Sequence, residues 1–279
     1  MKKILVTTDF SKASNAGLRF AIQFATQSDV ELVFFHCFQA LIPTTVLYER
    51  IALALKDQGD LYMKKLQRLV ARTHRNMKVE PGTHHCVVVE SLDPEKAIMH
   101  YAEEHGFQYI CMSTRGAGAI RKVVGTHTGS VLRHASIPVL VVPHSYRVQP
   151  IKKVLYSTDL EHFDKEMSLV TAFAERLNVK VDLAHFFFAG EVRLDEQNLK
   201  QLWRLKYPQL SQVYLEPYHI DKGFPVQLNQ LVKKTRPSIV AFFTHDNKTW
   251  YDKLFGTSVS ENVSYVTKVP MLVLRKGSK

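Results

Sequence analysis

The sequence predicts an α/β protein made of two repeated, doubly wound parallel-sheet domains of Rossmann-like type. Two observations carry that expectation. First, the chain repeats itself: MKKILVTTDF (1–10) returns as IKKVLYSTDL (151–160), VELVFFHCF (30–38) as KVDLAHFFF (180–188), with His36 beside His185, and GTHTGSVLRHASIPVLVVP (125–143) as GTSVSENVSYVTKVPMLVLRK (256–276). Three matches in the same order are the mark of a duplicated domain. Second, within each copy short apolar runs alternate with segments of helical period, which implies a parallel sheet with helices on both faces. Right-handed crossovers make such a sheet doubly wound. The stretch PHSYRVQP (143–150) has two prolines and no period, so it reads as the linker. The expected domains are 1–146 and 147–279.

The first copy divides as follows. Lys3–Thr8 is a short apolar strand that ends in Thr-Asp. Ser11 is placed to cap a helix whose buried face carries Leu18, Ile22 and Ala25. Val30–His36 is a buried strand. Residues 45–75 form a long helix with Leu53, Leu61, Met63, Leu66 and Leu69 as core positions. His84–Val89 is a strand, and Leu92–His105 a helix capped by Asp93. Tyr109–Met112 is a strand, Thr126–Ala135 a helix, and Pro138–Val142 the last strand. In the second copy strands fall near 153–157, 180–187, 212–219, 237–243 and 270–275.

Composition narrows the classes of function. The chain has 279 residues, 46% hydrophobic and 23% charged, as soluble globular proteins do. No run reaches the ~18 uninterrupted apolar residues a spanning helix needs, and Asp9 stops the first apolar run too early for a signal peptide. A cytoplasmic protein is expected. The net charge of +11 is spread over both halves, and no nucleic-acid recognition motif accompanies it. Cys37, Cys86 and Cys111 form no CxxC and lie in strand-like runs, so reduced, buried thiols are expected. His36 and His185 read as core or pocket-edge histidines rather than metal ligands. His84-His85 lacks an acidic or cysteine partner nearby in sequence, and no metal site is expected.

The chemistry concentrates in STRGAGAIRKVVGTHTGS (113–130). Gly116 and Gly118 let backbone N–H groups turn toward an anion. Gly125-Thr126 opens a helix whose free N–H groups and dipole favour phosphate. In a doubly wound sheet ligands bind beyond the carboxyl ends of the strands, where strand order reverses, so Asp9, Cys37 and this loop can share one pocket. No nucleophile elbow and no Walker lysine is present, and no general base is placed to activate water. No catalytic residue is assigned, and at most slow ATP hydrolysis is expected.

The Thr-Asp strand end, the glycine loop and GTHTGSVLRHASIPVLVVP together resemble the universal stress protein family, here as a tandem two-domain, UspA-like member. The resemblance implies an adenine nucleotide alpha-hydrolase-like fold. Nucleotide-binding members carry G-x2-G-x9-G-[S/T] after the fourth strand; here the pattern is S-x2-G-x8-G-T, with Ser113 at the first glycine. The resemblance places Asp9 on the adenine or ribose side and Thr7 and Cys37 along the base. Met112, Ser113, Gly116, Gly125, Thr126 and His127 would form the ribose–phosphate cradle. The implied ligand is ATP or AMP, with Mg as a companion ion. The second copy reads F-x2-D-x9-G-T, with Phe243 and Asp246 at the glycine positions. Phe243 would crowd the ribose and Asp246 would set an anion beside phosphate, so this copy is expected to lack ATP.

Two functions follow: a stress-response regulator that binds an adenine nucleotide in the first domain, or a nucleotide-free interaction module. No membrane or specific nucleic-acid partner is expected; a homodimer is compatible with the sequence. Ile137–Val142 and Val269–Leu274 are apolar terminal strands, and such an edge invites pairing. Single-domain members of the family pair through this strand. A tandem chain offers both partners across a short linker, so an intramolecular pseudo-dimer is expected.

Overall fold

The computed structural model describes residues 2–40, 48–114, 126–188, 196–244 and 268–276. The chain divides into two compact units, Met1–Val148 and Gln149–Lys279.

Unit 1 contains β1 (Lys2–Thr7), α1 (Asn15–Ala25), β2 (Val30–Phe38), α2 (Tyr48–Met77), β3 (His84–Glu90), α3 (Pro94–Glu104), β4 (Tyr109–Ser113), α4 (Thr126–His134) and β5 (Val139–Val142). Its strands lie in the order β3-β2-β1-β4-β5, all parallel, so strand order reverses between β1 and β4. Both faces of the middle strands are covered, which is why β1 and β4 read as unbroken apolar runs rather than alternating ones. Ile4, Leu5, Val6 and Ile110 are fully buried. From α1, Leu18, Phe20, Ile22 and Phe24 pack against this layer.

Unit 2 contains β6 (Lys153–Thr158), α5 (Phe163–Arg176), β7 (Lys180–Phe187), α6 (Glu196–Lys206), β8 (Leu210–Pro217), α7 (Phe224–Thr235), β9 (Ile239–Thr244) and β10 (Met271–Arg275). Its order, β8-β7-β6-β9-β10, reproduces that of unit 1 with parallel pairs throughout. The doubly wound α/β architecture expected from the sequence is thus present twice. The strand registers refine one match between the copies. Thr7 pairs Phe35, whereas Ser157 pairs Ala184. The copies therefore align one residue out of step in their second strands, and His36 corresponds to His185 rather than to Phe186.

Two local expectations change. Ser11 does not cap α1 directly, because that helix starts at Asn15. Its hydroxyl accepts from the Ser14 N–H at 3.0 Å and closes the turn that leads into the helix. Leu53 and Leu61 are not core residues: they are 59% and 65% exposed. At ~100° per residue both fall opposite the face set by Leu66, Leu69, Val70 and Thr73, which is the face turned to the sheet. Asp93 caps α3 as expected, with Oδ1 accepting from the Lys96 N–H at 3.1 Å.

The thiols are free, with Cys111 buried and Cys37 and Cys86 half-buried. Burial raises all three, Cys37 and Cys86 to about 11, so none is a thiolate near neutral pH. Among the described residues no helix is long and apolar enough to cross a membrane.

Unit 2 carries a buried ion pair in its sheet. Asp182 of β7 is fully buried, and its Oδ2 lies 2.9 Å from Lys153 Nζ of β6. The register makes Val33 the residue of unit 1 that corresponds to Asp182, while Lys3 corresponds to Lys153, so the lysine is shared and the buried aspartate is the addition.

Candidate functional site

The sheet edge at the carboxyl end of β1 is shaped by a turn that both units share. In unit 1 the Phe10 N–H donates to Thr8 Oγ1 at 3.1 Å, and the Ser11 N–H to Asp9 Oδ1 at 3.0 Å. In unit 2 the Leu160 N–H donates to Thr158 Oγ1 at 2.9 Å, and the Glu161 N–H to Asp159 Oδ1 at 3.1 Å. Phe10 and Leu160 take φ of 62° and 69°. That left-handed conformation is costly for a side-chain-bearing residue. The two side-chain bonds in each turn oppose the cost. Asp9 is exposed and its carboxylate is a turn-forming group.

Beside this turn lies the second strand. His36 is buried, with Nδ1 2.8 Å from the Thr8 carbonyl oxygen; His185 makes the same contact with Thr158 at 3.0 Å. A carbonyl only accepts, so Nδ1 carries the proton in both rings. Burial lowers the His36 pKa and keeps the ring neutral, although the Thr8 carbonyl pulls the other way. Phe10 and Tyr62 lie against the imidazole, at centroid distances of 4.1 Å and 5.0 Å, and Phe38 packs on Tyr62 at 4.9 Å. The Lys65 ammonium stands 4.3 Å from the Phe10 ring centroid, a cation over an aromatic face. These two histidines are structural pins, as their place at the ends of apolar strands implied.

On the other side of β1, Ser113 ties three elements together. Its hydroxyl donates to the Ala13 carbonyl at 2.8 Å and has the Val142 carbonyl 3.2 Å away. Its own carbonyl accepts from Thr128 Oγ1 of α4 at 2.9 Å. The loop after β1, the end of β4 and the first turn of α4 are held at one point, where strand order reverses. The serine that replaces the expected glycine thus turns its hydroxyl inward.

The other residues singled out from the sequence fall as follows. Thr7 and Met112 are buried at the ends of β1 and β4. The Cys37 thiol faces the Ser91 carbonyl at 3.7 Å, toward β3. His127, exposed on α4, has Nδ1 2.7 Å from Glu95 Oε1 of α3. Thr126 is placed as the first residue of α4. Gly116, Gly118 and Gly125 lie outside the described residues, as does Asp246. Sequence reasoning did not single out Thr128, which lies in the GTHTGS stretch but outside the S-x2-G-x8-G-T pattern, or Glu95, which only the packing of α3 beside α4 brings to His127.

Unit 2 fills the corresponding place differently. Glu166 of α5 stands eight residues beyond Thr158, as Ala16 stands beyond Thr8. It is buried and accepts from the Tyr156 hydroxyl, which lies 3.0 Å from Thr158 Oγ1. Tyr156 in turn meets the Phe243 ring edge-on at 5.7 Å. Burial raises the Glu166 carboxyl, with Tyr156 and Lys276 acting against that rise. The Lys276 ammonium, on a side chain only 6% exposed, lies 2.5 Å from Asp159, 3.0 Å from Glu161 and 3.7 Å from Glu166. Asp159 therefore has a lysine as its partner. Glu166, Phe243 and Lys276 line a cavity of about 100 Å³, with Leu169 and Lys165 among its other walls.

Comparison with known proteins agrees with this architecture. The model of the universal stress protein family matches residues 1–143. A curated universal stress protein from Methanocaldococcus jannaschii is 28% identical over 146 residues, spanning 50% of this chain and 81% of the relative. A crystal structure of a universal stress protein from Archaeoglobus fulgidus superposes with a TM-score of 0.70 at 15% identity, covering 99% of this chain and 98% of the other. A putative universal stress protein from Pseudomonas aeruginosa gives a TM-score of 0.62 at 15% identity over 99% and 93% of the two chains.

Proposed function

The chain belongs to the universal stress protein family, and from that premise we propose that it is a stress-response regulator whose first unit binds one adenine nucleotide, ATP or AMP, while its second unit binds none. The observation that carries the reading is the Ser113 junction. It sets the Asp9 turn, the end of β4 and the N-terminus of α4 side by side at the point of strand reversal, where doubly wound sheets take their ligands.

The described residues fit an adenylate in most respects. Thr7, Met112 and the half-buried Cys37 offer small and apolar surfaces to a base. Asp9 offers a carboxylate for a ribose hydroxyl. The first turn of α4 offers N–H groups and the positive end of a dipole to phosphate. Gly116 and Gly125 complete the cradle in this proposal, and any Mg would arrive with the triphosphate.

Among its described residues unit 2 fills the corresponding place with side chains of its own. Phe243 stands where unit 1 has Ser113, Glu166 brings a buried carboxylate, and Lys276 occupies Asp159. Titrating the full chain with ATP in a calorimeter is therefore expected to give a stoichiometry near one. A value near two would overturn the assignment of unit 2, and absence of heat and of thermal stabilisation would overturn the nucleotide reading as a whole, leaving the interaction module.

Pairing of the two units through their last strands belongs to the same proposal and rests on the sequence pattern alone. Val141→Lys would place an ammonium at such an interface and is expected to lower the melting temperature by several degrees, about 1–3 kcal/mol. An unchanged melting temperature would remove that part.

A further inference from the structure

The cavity of unit 2 lies between α5 and the ends of β9 and β10, with Leu169 and Phe243 as apolar walls and Lys165, Glu166, Arg275 and Lys276 as charged ones. In unit 1, β1 leads to β2 and β4 to β5 in opposite directions across the sheet, so right-handed crossovers put α1 and α4 on opposite faces. α5 corresponds to α1. The cavity therefore lies on the face of its sheet opposite to the one on which α4 stands in unit 1, and what it binds is independent of the nucleotide reading.

Two polar groups inside it are incompletely bonded. Glu166 is only 3% exposed, and its Oε2 accepts from the Tyr156 hydroxyl, but its Oε1 has no hydrogen-bond partner. A buried carboxylate oxygen without a donor costs free energy. The Lys276 ammonium has three N–H groups and two acceptors in reach, Asp159 at 2.5 Å and Glu161 at 3.0 Å. Glu166 Oε1, at 3.7 Å, is too far to be the third. One acceptor and one donor thus face the same space. A hydroxyl suits both, donating to Oε1 and accepting from the ammonium. A ligand ammonium there would meet Lys276 as a like charge, and a methyl group would leave both unbonded.

Size and charge narrow the ligand further. The cavity holds about 100 Å³. Benzene fills one of about 150 Å³, so roughly four to six heavy atoms fit here, far fewer than a nucleotide has. Asp159 and Glu161 already match Lys276. Lys165 is exposed and has no acidic partner among the described residues. Together with Arg275 it gives the cavity positive charge that suits a carboxylate. We infer that unit 2 binds a small α-hydroxycarboxylate in this cavity, with the hydroxyl between Glu166 and Lys276, the carbon chain against Leu169 and Phe243, and the carboxylate toward Lys165 and Arg275. Unit 1 has Ala16 and Ser113 in place of Glu166 and Phe243, and the site belongs to unit 2 alone.

The test titrates the full chain with lactate, propionate and alanine in a calorimeter. The three share a carbon skeleton and a carboxylate, and differ in carrying a hydroxyl, a hydrogen or an ammonium on the second carbon. Lactate is expected to bind with a Kd of about 1 mM or tighter, and the other two at least about tenfold more weakly. Lys165→Glu reverses the charge at an exposed position and should weaken lactate about tenfold. Lys233→Glu makes the same change on α7, outside the cavity walls, and should leave lactate within about twofold. Propionate or alanine binding as tightly as lactate would overturn the inference, and this comparison needs no variant to fold. Equal effects of Lys165→Glu and Lys233→Glu would overturn it too. So would the absence of heat and of thermal stabilisation at about 20 mM lactate, which would mean that water alone occupies the cavity.

Discussion

Replacing Lys153 with methionine is expected to lower the stability of unit 2 by about 3–5 kcal/mol, because it strands a buried carboxylate. Asp182 is fully buried and the ammonium of Lys153 is its ionic partner at 2.9 Å. Methionine matches the lysine stem in volume but carries no charge, so packing is nearly retained while Asp182 loses its counterion. Folding must then either bury the anion uncompensated or protonate it, and both destabilise the native state. The companion variant separates charge from packing. Lys153→Met with Asp182→Val removes both charges and puts at 182 the residue that stands at 33 in unit 1, and it is expected to recover most of the loss. Calorimetric melting of the full chain, followed as two transitions, reads both effects. A single variant within about 1 kcal/mol of wild type would show that water reaches Asp182 and that the pair is not buried in the energetic sense.

The second large effect is expected at Gly116. If the proposed site holds the nucleotide, Gly116→Val should weaken ATP by more than about a hundredfold, since backbone N–H bonds to phosphate, each worth ~1.5–3 kcal/mol, would be lost. The argument is the sequence pattern S-x2-G-x8-G-T. Glycine at the second position lets backbone approach phosphate without a Cβ, and valine adds a β-branched side chain that restricts the backbone as well. The melting temperature without ligand should not change. Retained ATP affinity in this variant would place the phosphates somewhere other than the loop at 113–126.

Much of this fold is legible in the sequence because its signals are local. The repeated Lys-Lys-apolar-Thr-Asp start, the apolar runs of the middle strands and the Asp93 cap each depend on a few neighbouring residues. What is not legible depends on long-range packing. Leu53 and Leu61 look like core because α2 carries apolar residues on both faces, and only the sheet's position decides which face is buried. Ser113 reads as an imperfect glycine, yet its hydroxyl reaches Ala13, a hundred residues earlier in the chain. Glu166 looks like an ordinary acid in the first turn of a helix. Its burial depends on Tyr156 before it and Lys276 far beyond it. Lys276 looks like the polar stop of the last strand, whereas its side chain is almost wholly enclosed.

The turn after the first strand has a bearing on how family members are recognised. Thr8-Asp9-Phe10 and Thr158-Asp159-Leu160 adopt one conformation, with the same two side-chain bonds and the same left-handed third residue. The surroundings differ: a serine junction in one unit, a tyrosine–glutamate–lysine cluster in the other. An aspartate at this point therefore reports the shape of a chain reversal. A survey that scores copies of this domain by that aspartate would count both halves of this protein alike. One that scores the residues opposite it, Ser113 against Phe243 and Ala16 against Glu166, would tell them apart.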